Sequence, residues 1–384
     1  MARRSRSDES PCEATAATSA PIGAQRAEPL RGERFQPMRE GVVVTSERER
    51  PNVEEEPLVL KNPTVSVLVP TYNGARFLGE TLTSIQTQTY RNLRVLIRDD
   101  GSSDATLEIA RAFASADPRF TLIEGTDRAG AAANCVELLK AADGEYVRFC
   151  MQDDLVDRQG IEKLLRPMHA EPAISLATSV RLLIDETGRQ LPGRSYTEPL
   201  VGADDILSGE AVARRMLLLN LNQIGEPSTV LFRNGLVDPA RPFSYGATDF
   251  DANGDVALWL TLLAKGHLFY SVKPLSSFRQ HGAQRSVDPA VLIDGALEWV
   301  ELLRVGLSTG VLERGEQSLF AAKNVIAQLL ARISAVVSMG DGDFTARVAD
   351  LAAAVTRAWS LGVDGSAPVP APPYAVGTHS LVGR

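Results

Sequence analysis

The sequence predicts an α/β protein built on a doubly wound, mostly parallel sheet, and three observations carry that prediction. Short apolar runs alternate with segments of helical periodicity from Pro63 to Ala177. One of these runs, Tyr146, Val147, Phe149, Cys150 and Met151 after an Asp143-Gly144 turn, has the composition of a strand buried on both faces. It stops on two adjacent carboxylates, Asp153 and Asp154, at the strand end where open parallel sheets bind ligands. Two uncompensated negative charges there suit a hard cation with a phosphate across it; the competing reading is a solvated Asp-Asp turn.

The elements follow in order. Val65 to Val69 forms a first strand, Pro70 to Gly74 a turn, and Phe77, Leu78, Leu82 and Ile85 fall on one face of a helix. Leu93 to Ile97 is a second strand, Asp99 to Asp104 a loop, and Leu107, Ile109 and Phe113 mark the next helix. Phe120 to Ile123 gives a third strand, and Ala132, Val136 and Leu139 the helix before the carboxylate-tipped run. Ile161, Leu164, Leu165 and Met168 then repeat at helical spacing, and Ile174 to Ala177 returns to strand. Neither Gly-x-Gly-x-x-Gly nor Gly-x-x-x-x-Gly-Lys follows the first strand, which removes the dinucleotide and phosphate-loop folds.

Around this core the texture differs. Residues 1–60, rich in Arg, Glu, Ser and Pro, predict a disordered arm that the short Gly41-Val42-Val43-Val44 does not anchor. Residues 61–285 form the α/β domain, in halves 61–180 and 181–285. Residues 286–362 read as a helical appendage with stripes at Ile293, Leu297 and Val300, at Leu319, Ala322, Ile326, Leu329, Ile333 and Val337, and at Phe344, Val348, Leu351, Val355 and Trp359. Such an appendage suits a cover, an acceptor site or a homo-oligomer contact. Residues 363–384, with Pro368, Pro370, Pro372 and Pro373, read as a flexible tail.

Composition narrows the function. With 40 basic against 48 acidic residues, a net charge of -8 and no basic stripe interleaved with aromatics, nucleic acid is excluded as the main partner. A phosphate-bearing substrate must then be held locally, by a metal or by backbone amides. Cys12, Cys135 and Cys150 are unpatterned, which fits a reducing cytoplasm and excludes a disulfide framework or a thiolate zinc site. No apolar stretch follows Arg3, Arg4 and Arg6, and no run of about 18 apolar residues occurs, so neither secretion nor a membrane span is expected.

Two further polar clusters sit at strand ends, Thr71-Tyr72-Asn73-Gly74 and Asp99-Asp100-Gly101-Ser102-Ser103-Asp104. Asp104 caps the next helix. A cap needs one oxygen, so Asp99 and Asp100 are left over, and a carboxylate there suits a uracil imide N–H or a ribose hydroxyl. From Pro63 to Gly74, from Asp99 to Asp104, and from Gly144 to Asp154, the chain resembles, in order and spacing, the family 2 glycosyltransferases of GT-A fold. The resemblance implies a nucleotide-diphosphate sugar donor, with UDP- or dTDP-sugars foremost, a divalent cation (Mn2+ or Mg2+), and inversion at the anomeric carbon. By position, Pro70, Thr71, Tyr72, Asn73, Asp99, Asp100 and Asp153 match nucleotide-contacting segments, with Asp100 at the base-binding carboxylate, and Asp153 and Asp154 match the metal motif. Met151 stands where many members carry an earlier Asp, so the metal rests on the last two acids. The halves of the domain become nucleotide-binding and acceptor-binding.

The second half adds matches to the same family. Gly225 to Arg233 resembles the segment lining the sugar and acceptor side, where Glu226 suits sugar hydroxyls; the plain alternative is a turn and an interior strand. Asn253-Gly254-Asp255 precedes a helix with Val256, Trp259, Leu260 and Leu263 at i, i+3, i+4 and i+7. An acid there is favoured by cap and dipole alone, but the family places its base on a Glu-Asp pair at such a helix, and Asp255 remains where Gly254 replaces the Glu. Phe278-Arg279-Gln280-His281-Gly282 resembles the Arg-x-His-Gly segment, so His281 is assigned to the metal or the departing diphosphate and Arg279 to offsetting its charge. His169, His267 and His379 read as surface or cap residues.

The mechanism this implies is one displacement, with the metal on Asp154, assisted by Asp153, and Asp255 taking the acceptor proton. A carboxylate with a pKa near 4 is a weak base toward an alcohol, adequate where proton transfer lags behind attack on an oxocarbenium-like centre. A saccharide or glycolipid acceptor in polysaccharide biosynthesis, and a cytoplasmic place peripheral to the inner membrane surface, complete the expectation. The rivals are a sugar nucleotidyltransferase, which needs a Gly-rich Arg-containing loop absent after the first strand, and a non-catalytic nucleotide-sugar-binding scaffold.

Overall fold

A computed structural model describes residues 62–125, 128–194, 197–339 and 342–363, with side chains 338–339 and 342–346 set aside. The predicted arm and tail, with Cys12, Gly41 to Val44 and His379, lie outside the described residues, and so does the side chain of Phe344. The elements in chain order are β1 (Val65–Thr71), α1 (Ala75–Gln86), β2 (Leu93–Asp99), α2 (Thr106–Ala116), β3 (Phe120–Glu124), α3 (Ala131–Ala141), β4 (Tyr146–Phe149), β5 (Leu155–Val156), α4 (Gly160–Ala170) and β6 (Ile174–Ile184). There follow β7 (Asp205–Leu207), α5 (Gly209–Leu219), β8 (Leu231–Arg233), β9 (Ser244–Tyr245), β10 (Thr248–Asp249), α6 (Gly254–Leu263), β11 (His267–Arg279), α7 (Pro289–Ser308), α8 (Glu316–Met339) and α9 (Gly342–Val363).

The main sheet runs β3-β2-β1-β4-β8-β6-β11-β5, with β7 on β11. The first four strands are parallel. This mixed α/β sheet is the predicted class, modified at three strands: β8 enters antiparallel between β4 and β6, and β5 and β7 pair antiparallel with β11. In β1 the period of two is visible in three dimensions. Val65, Val67 and Val69 pack with Leu78, Leu82 and Ile85 of α1 on one face, while Leu68 joins Leu138 and Leu139 of α3 on the other. A strand covered on both faces reads as a continuous apolar run, and that is why its type was legible. Chain order reverses between β1 and β4, so the loops after β1, β2 and β4 open on one crevice.

Two placements depart from the sequence expectation. Pro70 and Thr71 belong to β1, in register with Arg98 and Asp99, because the parallel ladder with β2 continues past the apolar residues. The C-terminal helices share a core with the sheet: Trp299, Leu302 and Leu303 of α7 and Ala322, Val325 and Leu329 of α8 lie in the same buried cluster as Val256, Trp259 and Leu263 of α6. Among the described residues one helical stretch, Glu316–Val337, is long and apolar enough to cross a membrane by length and composition, where none was expected. Its Ala321, Ala322, Val325 and Leu329 are buried in the protein, while Leu319, Phe320, Leu330 and Val337 are exposed.

Candidate active site

The first two polar clusters fold onto each other. Asn73, at φ 47°, takes the left-handed conformation that Asn tolerates and turns the chain into α1. Its backbone N–H donates to Ser102 Oγ at 2.9 Å and its side-chain oxygen accepts from the N–H of Ser103 at 2.9 Å. Asp104 accepts from the N–H groups of Thr106 (3.0 Å) and Ala75 (3.1 Å), so the expected capping residue serves the starts of two helices.

The acids expected to meet the nucleotide are turned inward. Asp99, 3% exposed, accepts from Ser102 Oγ at 2.5 Å, Ser102 N at 2.9 Å and Thr71 Oγ1 at 3.2 Å. Asp100, 2% exposed, accepts from the N–H groups of Ala129 (2.9 Å) and Gly130 (2.8 Å) and pairs with Arg98. Their oxygens build the crevice walls, with Asp100, expected as the base-binding carboxylate, engaged by the protein's own donors. Thr71 is likewise buried. Tyr72 and Asn73 remain open, with the Arg128 guanidinium 4.3 Å above the Tyr72 ring.

Gln152, which the sequence reading passed over, ties this loop to the carboxylate motif. Its side chain accepts from Tyr72 N at 2.9 Å and donates to Tyr72 O at 3.0 Å, the pairing a neighbouring strand would make. Gly74 is required beside it, since a Cβ there would collide with the Gln152 side chain.

Asp153 and Asp154 part ways. The antiparallel pairing of β5 with β11, Leu155 opposite Ser277, carries the motif alongside the residues that follow Arg279. Asp153 Oδ2 thereby meets His281 Nε2 at 2.9 Å, with both side chains partly open. The imidazole packs tilted against the Phe77 ring, centroids 4.8 Å apart, and the backbone N–H of His281 donates to Gln284 Oε1 at 3.1 Å. Asp154 points the other way and is 1% exposed, accepting from Ser228 Oγ at 2.6 Å and Arg279 N at 3.0 Å. Burial, with the charge of Asp153 beside it, holds its carboxyl well above the usual range. Asp154, expected as the principal metal ligand, is thus committed to the scaffold. Behind it Arg148 is also fully buried and donates to Ser228 O; burial lowers its pKa to about 10.

Arg279, expected to face the diphosphate, is 0% exposed. Its Nε donates to Asp153 O at 2.8 Å and its Nη2 to Glu80 at 2.7 Å, while the guanidinium lies over the Phe77 ring. These contacts brace the Asp153 turn. Glu226 is ion-paired with Arg181 of β6.

Asp255 stands at the start of α6, partly exposed. Its Oδ2 accepts from Asn222 Nδ2 at 2.9 Å and its Oδ1 from Val256 N at 2.8 Å. Burial first, then the negative charges of Glu226 and Glu298, push its carboxyl up to about 7. Glu226 raises Asp154 in the same way, so one acid lies within electrostatic reach of both centres. The buried thiols of Cys135 and Cys150 are pushed up to about 12, which leaves them inert as nucleophiles.

A divalent cation, implied by the family resemblance, finds a fitting donor set in Asp153 and His281. One carboxylate and one imidazole, in a partly open position at the carboxyl ends of strands, suit an ion that takes its other ligands from phosphate and water. Among the described residues no group of three or more His, Cys, Asp or Glu forms a cage without such help. Sequence reasoning missed Gln152, Ser228, Asn222 and Glu298. Of these Glu298 left the clearest signal, an acid inside the apolar run Ala296-Leu297-Glu298-Trp299-Val300.

Comparison with known proteins agrees with this geometry. Residues 66–222 match the profile of "Glycosyl transferase family 2". The chain is 25% identical over 210 residues to the glycosyltransferase TuaG of Bacillus subtilis (strain 168), covering 55% of this chain and 76% of TuaG. It is 35% identical over 109 residues to the glycosyltransferase GlyG of Streptococcus pneumoniae serotype 4, covering 28% of this chain and 36% of GlyG. The fold resembles that of S. aureus TarS 1-349 in complex with UDP-GlcNAc, at 16% identity and a TM-score of 0.56, over 77% of this chain and 81% of that one.

Proposed function

With a family 2 glycosyltransferase sequence over residues 66–222 and a GT-A fold as premise, we propose that this protein moves a sugar from a nucleotide-diphosphate sugar to an acceptor hydroxyl, with inversion and with a divalent cation in support. The observation that carries this reading is the meeting of Asp153 and His281 at 2.9 Å, 128 residues apart in sequence.

In this reading Asp153 and His281 hold Mn2+ or Mg2+. When bound, the ion supplies positive charge against the charge that grows on the departing diphosphate. Tyr72 and Asn73, clamped by Gln152, line the nucleotide side. Asp255 takes the proton of the acceptor hydroxyl as the acceptor oxygen bonds to the anomeric carbon. The bond from that carbon to the phosphate oxygen breaks on the opposite face, and its electron pair leaves with the nucleoside diphosphate. A carboxyl near 7 is a far better base at neutral pH than the ordinary Asp that the sequence alone implies. Asp154 and Arg279 hold the Asp153 turn in place. A saccharide or glycolipid acceptor and a cytoplasmic place, peripheral to the inner membrane surface, go with this reading.

The test is incubation with a panel of UDP-, dTDP- and GDP-sugars, saccharide acceptors and Mn2+ or Mg2+, reading release of nucleoside diphosphate. Asp153→Asn and Asp255→Asn should each abolish it, with nucleotide binding kept in the second. Nucleotide binding without turnover on any donor would instead favour the scaffold reading.

A further inference from the structure

The start of α6, which carries Asp255, is gripped from two directions. On one side Asn222 Nδ2 donates to Asp255 Oδ2 at 2.9 Å and to Gly225 O at 3.2 Å, while Asn222 Oδ1 accepts from Gly225 N at 3.0 Å. Gly225 O also accepts from the indole N–H of Trp259 at 3.0 Å, and Trp259 is buried on α6 one turn beyond Asp255. Gly225 sits at φ 111°, where a side chain is strained, and only that turn lets Asn222 span the loop and the helix. On the other side Glu298 of α7, 6% exposed, accepts from the N–H groups of Asp251 (2.9 Å), Ala252 (3.2 Å) and Asn253 (2.7 Å). Asn253 Nδ2 returns a bond to Gly295 O at 2.7 Å. Asn253 makes no side-chain cap for α6. Glu298, from a helix more than forty residues downstream, instead holds the N–H groups of the turn that leads into α6.

We propose that Asn222 and Glu298 are positioning residues for the base: the Asn222 amide fixes the Asp255 carboxylate in one orientation toward the acceptor, and Glu298 pins the turn that carries it. This rests on the reading of Asp255 as the base. The two act in opposite senses on its ionisation. An amide N–H stabilises the carboxylate, while Glu298 and Glu226, the latter paired with Arg181, oppose it.

The test needs no substrate. Carbon-13 is placed in the aspartate carboxyls of the full chain, and the Asp255 resonance is identified by its loss in Asp255→Asn. Its titration midpoint is expected near 7. In Asn222→Ala it should rise by about one pH unit. It should rise further in Asn222→Asp, which keeps an acceptor for Gly225 N–H but turns an oxygen toward Asp255. In Glu298→Gln it should fall; if that variant does not fold by circular dichroism, the Asn222 variants decide alone. A role confined to bracing the 222–225 loop leaves the midpoint where it was, and an unmoved or lowered midpoint in both Asn222 variants overturns the proposal. Should Asp255→Asn keep nucleoside diphosphate release, the base reading fails separately, because the titration reads Asp255 whether or not it is the base.

Discussion

Replacing Asp255 by Asn should abolish transfer and, at alkaline pH, make the protein more stable. The sign follows from linkage. A carboxyl raised from 3.8 to about 7 on folding keeps its proton in the folded state where the unfolded chain has lost it. Its contribution to stability is therefore intact near pH 4 and is lost as pH rises through about 7. Three pH units correspond to about 4 kcal/mol at full effect. The variant loses one acceptor, since Asn has a single carbonyl oxygen for the Asn222 and Val256 donors, which takes back about 1 kcal/mol. A net gain of about 2–3 kcal/mol is expected at pH 8, shrinking to zero or slightly below near pH 4. Urea unfolding of wild type and variant in parallel at pH 4, 6 and 8 measures it, because the difference between the two proteins cancels the other carboxylates. A difference independent of pH, or a variant less stable at pH 8, would refute the argument that burial has made this acid a base.

Other perturbations follow from the same geometry. In wild type the transfer rate at saturating metal should rise with pH through a midpoint near 7, as Asp255 loses its proton; a profile flat from pH 5 to 8 counts against the base assignment. Asp153→Asn and His281→Ala should each weaken Mn2+ or Mg2+ affinity in the presence of nucleoside diphosphate at least tenfold by calorimetry, whereas Arg279→Lys should act through stability and leave that affinity nearly unchanged once folded. Ser228→Ala removes the donor to buried Asp154 and the acceptor for Met151 N–H, and should cost about 1–3 kcal/mol in denaturant unfolding; a change under about 0.5 kcal/mol would mean water replaces it. Gln152→Ala should raise KM for the donor more than it lowers kcat, since it frees the Tyr72 backbone without touching the reacting atoms; an equal fall in kcat contradicts that split.

The sheet was legible because parallel strands buried on both faces write themselves as continuous apolar runs, as Val65 to Val69, Leu93 to Ile97 and Tyr146 to Phe149 do, although the run at Cys150 and Met151 outlasts its strand. The convergence of three strand ends was legible for the same reason. Which acid does which work was not. Asp153 and Asp154 are adjacent and chemically alike, and only the β5–β11 pairing, set by chain 120 residues away, turns one toward His281 and the other toward Ser228. The sequence could not show that Asp100 and Arg279 are engaged by groups of neighbouring segments, Asp100 by two loop amides and Arg98, Arg279 by Asp153 O and Glu80. The Asp255 ionisation was out of reach too, since it arises first from burial in the folded chain and then from Glu226 and Glu298 brought from distant segments.

The clasp between α7 and the start of α6 has a consequence during synthesis. The residues of β1 to β11 are synthesised before Gly295 and Glu298. Until those two are in place, three amide hydrogens at residues 251–253 have no acceptor in α7 and the proton-taking turn has no fixed place. In the proposed reading, loss of the α7 contacts should therefore impair transfer more than nucleotide binding.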